Sequence, residues 1–107
     1  MNNDEIAKIY DPKTLEADEK PFASFFEQVA SEFTAPQYRI WVGSGDYQRR
    51  ICAGVQDDDS GVVVKIYCKY QKPIQNPWNA FVIQRVREHF ESGSTQDLLI
   101  NCPAVAV

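Results

Sequence analysis

The stretch Gly61-Val-Val-Val-Lys-Ile-Tyr-Cys-Lys-Tyr70 decides the fold, because its side chains alternate in polarity from one residue to the next. One side of the strand that it predicts carries Val62, Val64, Ile66, Cys68 and Tyr70, and the other side carries Val63, Lys65, Tyr67 and Lys69. A period of two residues is typical of a β-strand that buries one side and exposes the other to water. The sequence therefore predicts a sheet with one covered face.

Two further strands precede this one in the sequence. The patterns of residues 38–42 and 48–55 predict an outgoing and a returning strand, separated by the turn-forming residues 43–46. A second turn at residues 57–61 leads into the strand described above. The side chains predicted to face inward are Tyr38, Ile40, Val42, Ile51, Ala53 and Val55, and those predicted to face outward are Arg39, Trp41, Arg50 and Cys52. Three strands joined by two short turns form an antiparallel meander.

A first helix is predicted between the acidic start of the chain and the meander. Its apolar positions recur with helical spacing at Phe22, Phe25, Phe26, Val29, Ala30 and Phe33. Asp18 is the expected N-cap, with Glu19 in the first turn, and Pro36 ends the helix. The apolar stripe predicts a helix that packs on one face of the sheet.

A second helix is predicted for residues 77–92, followed by a short buried strand at residues 98–102. Asn76 as N-cap and Pro77 at the first helical position mark the start of this helix, and Gly93 marks its end. Its buried side is expected to carry Trp78, Val82, Ile83, Val86 and Phe90. If the last strand pairs parallel to residues 62–70, this helix is the crossover between them.

These elements predict one α+β domain spanning residues 1–107. The expected architecture is a two-layer sandwich: an antiparallel three-strand meander with an added C-terminal strand, and two helices on one face of the sheet. Residues 1–17 are expected to form an N-terminal arm or a short strand, and residues 103–107 a tail. A chain of 107 residues has the length of a single domain.

Charge and composition limit the classes of function. The chain is 44% apolar with a formal net charge of −4, and the acidic residues are concentrated in residues 1–32. Overall acidity disfavours non-specific binding to nucleic acid. The absence of a long apolar run predicts no membrane span, and the acidic start of the chain indicates a cytoplasmic protein without a secretory signal. Cys52, Cys68 and Cys102 are interpreted as free thiols inside strands, with a disulfide between neighbouring strands as the alternative.

The solvent-facing side of the predicted sheet is the candidate binding surface. It carries Arg39, Trp41, Arg50, Lys65, Tyr67 and Lys69. Aromatic rings among basic side chains can stack on bases and bind phosphate, and the same residue types concentrate binding energy between proteins. Two structural alternatives remain open: the rings of Trp41 and Tyr67 form an ordinary cross-strand pair, or the second helix covers them.

No pattern in the sequence predicts catalysis or a metal site. The run Asp57-Asp58-Asp59 resembles part of a calcium loop, but it lacks the distal glutamate and fits a solvated turn. A pair of His89 with Cys68 has no third group to orient it, and His89 has the spacing of a surface residue on a helix. The carboxylates of residues 1–32 are interpreted as solubilising charge. We therefore expect no catalytic residue, no cofactor and no metal ligand.

The strand–helix–strand stretch from Val62 to Ile100 resembles the closing part of cap-binding translation initiation factors, which also have a tryptophan on a sheet face. The paired cap-stacking tryptophans of that family are not evident in this sequence. The resemblance implies only that a sheet of this kind can hold a nucleotide.

Two hypotheses of function follow from the sequence. The first is a small non-enzymatic interaction protein that binds another, unidentified protein: an adaptor, or an inhibitor of the immunity or phage and bacterial anti-defence type, acting as a monomer or homodimer. The alternative is a binder of single-stranded RNA or a nucleotide on the basic and aromatic sheet face.

Overall fold

The computed structural model describes residues 7–17, 19–44, 51–68 and 78–102. Five strands and two helices follow one another along the chain in the predicted order. The elements are β1 (Ala7–Ile9), α1 (Ala23–Glu32), β2 (Tyr38–Ser44), β3 (Ile51–Asp57), β4 (Val63–Cys68), α2 (Trp78–Glu91) and β5 (Leu98–Cys102), with a 3-10 turn at Lys20–Phe22 just before α1.

The five strands form one sheet whose spatial order, β1-β2-β3-β4-β5, is the same as their order in the sequence. The pairs β1–β2, β2–β3 and β3–β4 are antiparallel, and β5 is parallel to β4. A parallel pair needs a crossover connection, and α2 provides it. The predicted meander and C-terminal strand are therefore confirmed, and the expected N-terminal arm contributes the edge strand β1. The direction of the last strand was left open by the sequence, and the structure shows that it is parallel to β4.

The hydrophobic core lies between the two helices and one face of the sheet. The helices contribute Val82, Ile83 and Val86 from α2 and a phenylalanine-rich stripe from α1 and the turn before it, and the strands contribute Val42, Ala53, Val55, Val64, Ile66 and Ile100. Phe22, Phe25, Phe26 and Val29 are each at most 1% exposed. Because the buried strand residues recur at every second position, all of them lie on the same face. The prediction that both helices cover one sheet face is confirmed.

The N-terminal arm is attached to this core by a buried charge. Glu19 is 1% exposed, and its carboxylate lies 3.2 Å from the Nζ atom of Lys8 on β1. The same carboxylate accepts a 2.8 Å hydrogen bond from the backbone N–H of Glu16. The interpretation of the early carboxylates as solubilising charge is wrong for Glu19. A buried carboxylate requires compensation by a cation and hydrogen bonds, and the arm supplies both.

Several element boundaries differ from the sequence prediction. The first helix was expected to contain Glu19 in its first turn, but the α-helix starts at Ala23 after a 3-10 turn. Gly43 and Ser44 were expected to form a turn, but they continue β2, because antiparallel pairing with Cys52 and Ile51 extends the ladder. Gly93 follows α2 with a φ of 72°, as expected for the residue that ends a helix. The predicted caps Asp18, Asn76 and Pro77 lie outside the described residues.

None of the helices in the described ranges is long and apolar enough to cross a bilayer.

The central phenylalanine of α1 provides a test of the core. Phe26 is fully buried, so Phe26→Ala should lower the free energy of unfolding by about 3–5 kcal/mol through lost burial and the cavity left behind. Chemical denaturation followed by circular dichroism measures this change. The matched control is Phe81→Ala on α2, where the ring is 63% exposed, and this change should cost less than about 1 kcal/mol. Equal losses in the two variants would contradict the assigned core.

The contact between β1 and α1 predicts a perturbed tyrosine titration. The ring of Tyr10 packs against Phe26 with centroids 6.0 Å apart, and its hydroxyl donates to the carboxylate of Glu27. Burial, and then the hydrogen bond to Glu27, raise the pKa of Tyr10 to about 12. Glu27→Gln should lower this pKa, as measured by tyrosinate absorbance with Tyr10→Phe subtracted. An unchanged titration would show that Glu27 does not act on Tyr10.

The raised pKa of Tyr10 also predicts how the stability of the protein changes with pH. Because the pKa of Tyr10 is higher in the folded chain than the ordinary value near 10, the neutral hydroxyl stabilises the folded state fully below about pH 10. This contribution is lost as the pH rises through about 12. Between pH 10.0 and about pH 12, the free energy of unfolding of Tyr10→Phe should therefore fall less than that of the parent protein.

Candidate functional site

The sheet side opposite the two helices, which we call the open face, is the candidate functional site. Register places its side chains in rows that run across the strands. The middle row consists of Ile9, Trp41, Gly54, Lys65 and Leu99, one residue from each strand. The flanking rows contain Arg39, Gln56 and Val63 on one side, and Gly43, Cys52, Tyr67 and Asn101 on the other.

The two ends of the middle row are exposed apolar side chains. Ile9 on β1 is 47% exposed and Leu99 on β5 is 51% exposed. Trp41 and Lys65, which lie between them, are half-buried. A partner that covers such aliphatic side chains removes apolar surface from water, which favours association.

Gly54 leaves a gap in the centre of this row. It lies between Trp41 on β2 and Lys65 on β4, and it has no side chain to fill the space above the strand. A Cβ atom placed there would lie 3.5 Å from the Cβ of Trp41, which is an ordinary contact distance. The row therefore has a buried glycine between an aromatic residue and a lysine.

The indole of Trp41 is oriented by a hydrogen bond. Its Nε1–H donates to the side-chain oxygen of Gln56 on β3, at 2.9 Å. Gln56 lies opposite Arg39 and two residues along β3 from Gly54, the partner of Trp41. The indole is therefore directed toward β3 and the row that contains Arg39. The bond limits the rotation of the ring, and a ring that is already fixed loses less entropy when it contacts a partner.

The charge of the open face is smaller than the sequence suggests. The guanidinium of Arg39 is bound by Asp58 from the turn after β3, with Nε and Oδ2 2.6 Å apart. Lys65 is the second described cation on this face, and no ion pair joins it to another described residue. One of the two cations is thus neutralised, and the described part of the face is mostly apolar.

The predicted site residues separate into three groups. Arg39, Trp41 and Lys65 lie on the open face, where the sequence placed them. Tyr67 also lies on this face, but it is only 9% exposed, so the expectation of an exposed ring is wrong. Arg50 and Lys69 lie outside the described residues. Whether these side chains bind anything stays a prediction.

Neither of the two structural alternatives for the face is found in the described part of the structure. The second helix does not cover Trp41, because α2 packs on the opposite side of the sheet. A direct cross-strand pair of Trp41 with Tyr67 does not form either, because β3 lies between their strands and the two residues belong to different rows. Strand order decides this point, and the alternation of residues alone does not reveal it.

The other residues that the sequence offered as candidates, His89 and the aspartate run, make contacts that stabilise local structure. The Nε2 atom of His89 lies 2.7 Å from the backbone oxygen of Gln96, which connects α2 with the segment before β5. The run Asp57-Asp58-Asp59 closes the β3–β4 hairpin, where the backbone N–H of Asp59 donates to Oδ1 of Asp57. Within the described ranges, no group of three histidine, cysteine or acidic side chains is placed to hold a metal ion. Cys52 is half-buried and is not part of a disulfide, and its Sγ lies 3.6 Å from the backbone oxygen of Ala53.

Sequence reasoning missed Ile9, Gly54 and Leu99 as members of the candidate site. Leu99 was assigned to a well-buried strand, although it alternates with the core residues Leu98 and Ile100 and must face away from them. Ile9 belongs to the arm, whose pairing with β2 was not predicted. Gly54 interrupts an apolar strand, and such an interruption is a recognised signal for close approach of another group.

Comparisons of this chain with protein-family models, with curated proteins and with solved structures found no match.

The gap at Gly54 predicts the outcome of a small substitution. The Gly54→Ala side chain meets no atom closer than 3.5 Å, so the folded state can accept it without displacement of its neighbours. Because alanine also restricts the unfolded chain, the free energy of unfolding should stay the same or rise by up to about 1 kcal/mol. Thermal unfolding measures this change. A loss above about 1 kcal/mol would show that the strand around Gly54 needs a glycine.

Proposed function

We propose that this protein is a small, non-enzymatic interaction protein that binds another protein through its open face. Within this class, an inhibitor of the immunity or anti-defence type, or an adaptor, fits the small size and the acidic charge of the chain. We also propose that the protein acts in the cytoplasm.

The observation that carries the proposal is the middle row of the open face. Ile9 and Leu99 expose apolar surface at its two ends, and the hydrogen-bonded indole of Trp41 lies between them. A partner that covers this row would remove aliphatic surface from water around a fixed aromatic side chain. Buried aromatic anchors of this type dominate the binding energy of many protein interfaces.

Charge supports a protein partner over nucleic acid. Of the described cations on this face, Arg39 is paired with Asp58, and the chain as a whole has a net charge of −4. Affinity for nucleic acid depends strongly on unpaired cations that replace counterions on phosphates. A single-stranded RNA or a nucleotide is the second candidate, because Trp41 and Lys65 lie on either side of Gly54 in the same row and offer a ring near a cation.

A capture experiment with matched variants tests the proposal. The immobilised protein is incubated with a lysate of its source cells, and bound proteins are quantified by mass spectrometry. Ile9→Arg adds a charge to an exposed position of the middle row, and Ser24→Arg adds the same charge to an exposed position of α1. We expect at least one protein to be enriched by the parent and by Ser24→Arg, and to be reduced about tenfold or more by Ile9→Arg and by Lys65→Glu.

A direct titration separates the two candidates. A fluorescent single-stranded RNA at low salt should show no saturable binding if the open face serves a protein. Salt-sensitive binding that Lys65→Glu abolishes would instead support the RNA candidate. Equal capture of the same proteins by the parent and by Ile9→Arg would refute the open face as the interaction surface.

A further inference from the structure

The two edges of the sheet differ in how they are protected against the addition of another strand. β1 forms one edge, has only three residues and turns its Lys8 side chain inward to the buried Glu19. Short edge strands and inward-pointing charges are devices that prevent strand addition. β5 forms the other edge, with the sequence Leu-Leu-Ile-Asn-Cys over residues 98–102 and no charged residue among them.

The backbone groups at the β5 edge are available for pairing. The backbone N–H of Asp57 donates to the oxygen of Val62, so the even-numbered residues of β4 direct their polar groups toward β3. Val63 and Lys65 therefore face β5, and the N–H of Val63 donates to Oδ1 of Asp97 next to that strand. The register Lys65↔Leu99 means that Lys65 bonds to the residues on either side of Leu99.

It follows that Leu99 and Asn101 direct their backbone N–H and C=O groups away from the sheet. Neither residue makes a further backbone hydrogen bond with another described residue. The side chain of Leu99, 51% exposed, lies beside these groups on the open face. The edge therefore offers two donors and two acceptors next to apolar surface, which is the pattern that an added strand uses.

The helix side of the same edge carries an exposed cation. His89 on α2 contacts Gln96, just before β5, so this flank of α2 lies on the side of the segment that leads into β5. Arg85 lies one turn earlier on the same flank, is exposed, and forms no ion pair with the described residues. Lys65, in register with Leu99, adds positive charge on the open face. Neither the carboxylate of Asp97, which accepts from the N–H of Val63, nor that of Glu88, which accepts from Gln84, forms an ion pair with Arg85.

We propose that the β5 edge binds an extended peptide segment of a partner protein as a sixth strand. The segment carries apolar side chains on the open-face side, next to Leu99, and acidic side chains on the helix side, next to Arg85. A second copy of this chain fits less well, because two-fold pairing of β5 brings the two Arg85 flanks together. The proposal does not depend on binding at the open-face row around Trp41.

Fluorescence anisotropy with a designed peptide tests this proposal. The probe is a labelled peptide with blocked termini and the sequence Thr-Glu-Val-Glu-Val-Glu-Thr, and the control peptide has lysine in place of each glutamate. We expect saturable binding of the acidic peptide and at least about tenfold weaker binding of the lysine peptide. Slowed hydrogen exchange at the amides of Leu99 and Asn101 should accompany binding.

Two pairs of variants locate the site. Asn101→Pro removes an outward N–H at the β5 edge, and Ile9→Pro removes one at the β1 edge, since the N–H of Tyr10 pairs with Ile40 and that of Ile9 points away. Only Asn101→Pro should abolish binding. Arg85→Glu should weaken binding about tenfold, whereas Lys13→Glu, an equal charge change in the exposed loop after β1, should not. Circular dichroism verifies that each variant is folded.

Several results would overturn the proposal. These are no saturable binding up to about 1 mM peptide, equal affinity for the acidic and lysine peptides, or binding that survives Asn101→Pro in a folded protein. Sedimentation of the protein without peptide measures whether it forms a dimer. A dimer that Asn101→Pro converts to a monomer would show that a second copy, and not a partner segment, occupies the edge. Failure of the open-face capture experiment would leave these results unaffected.

Discussion

Burial of the phenylalanine stripe of α1 against a single sheet face is the constraint on which the rest of the structure depends. Phe22, Phe25 and Phe26 are almost completely removed from water, and the aliphatic residues that meet them come from every strand of the meander and from β5. Because those strand residues alternate, the same contacts that form the core direct Trp41, Lys65 and Leu99 to the opposite side. The open face is therefore a consequence of how the core is assembled.

The parts of the fold that could be predicted are those with a strong local period. The alternation in residues 62–70 and the three- and four-residue spacing of the phenylalanines each specify an element and its buried side, and the structure confirms both. The existence of β5 was predictable as well, but its direction was left open, although a helix between two strands is the usual crossover of a parallel pair. The ends of the elements were harder to predict. Gly43 and Ser44 have turn-forming composition, yet pairing with β3 keeps them in β2.

The parts of the candidate site that could not be predicted depend on contacts between distant residues. Alternation assigns Tyr67 to the correct side of the sheet but gives no information about what surrounds it, and its low exposure was not expected. The burial of Glu19 depends on Lys8, eleven positions earlier in the sequence, and no local pattern marks that pair. The neighbours of Trp41 across the sheet follow from register, which the hydrophobic pattern restricts only to every second residue.

The identity of strand order in space and in sequence has a consequence for how the chain folds. In the meander, β3 and β4 each pair with the strand that directly precedes them in the chain, so this part of the sheet can grow by closing one short loop at a time. Closing a short loop costs little chain entropy, and proteins dominated by such neighbouring pairings reach the native state quickly. The β1–β2 and β4–β5 pairings are different, because α1 lies between the first two strands and α2 between the last two. The meander is therefore the natural nucleus, and the attachment of β5 is expected to come late in folding.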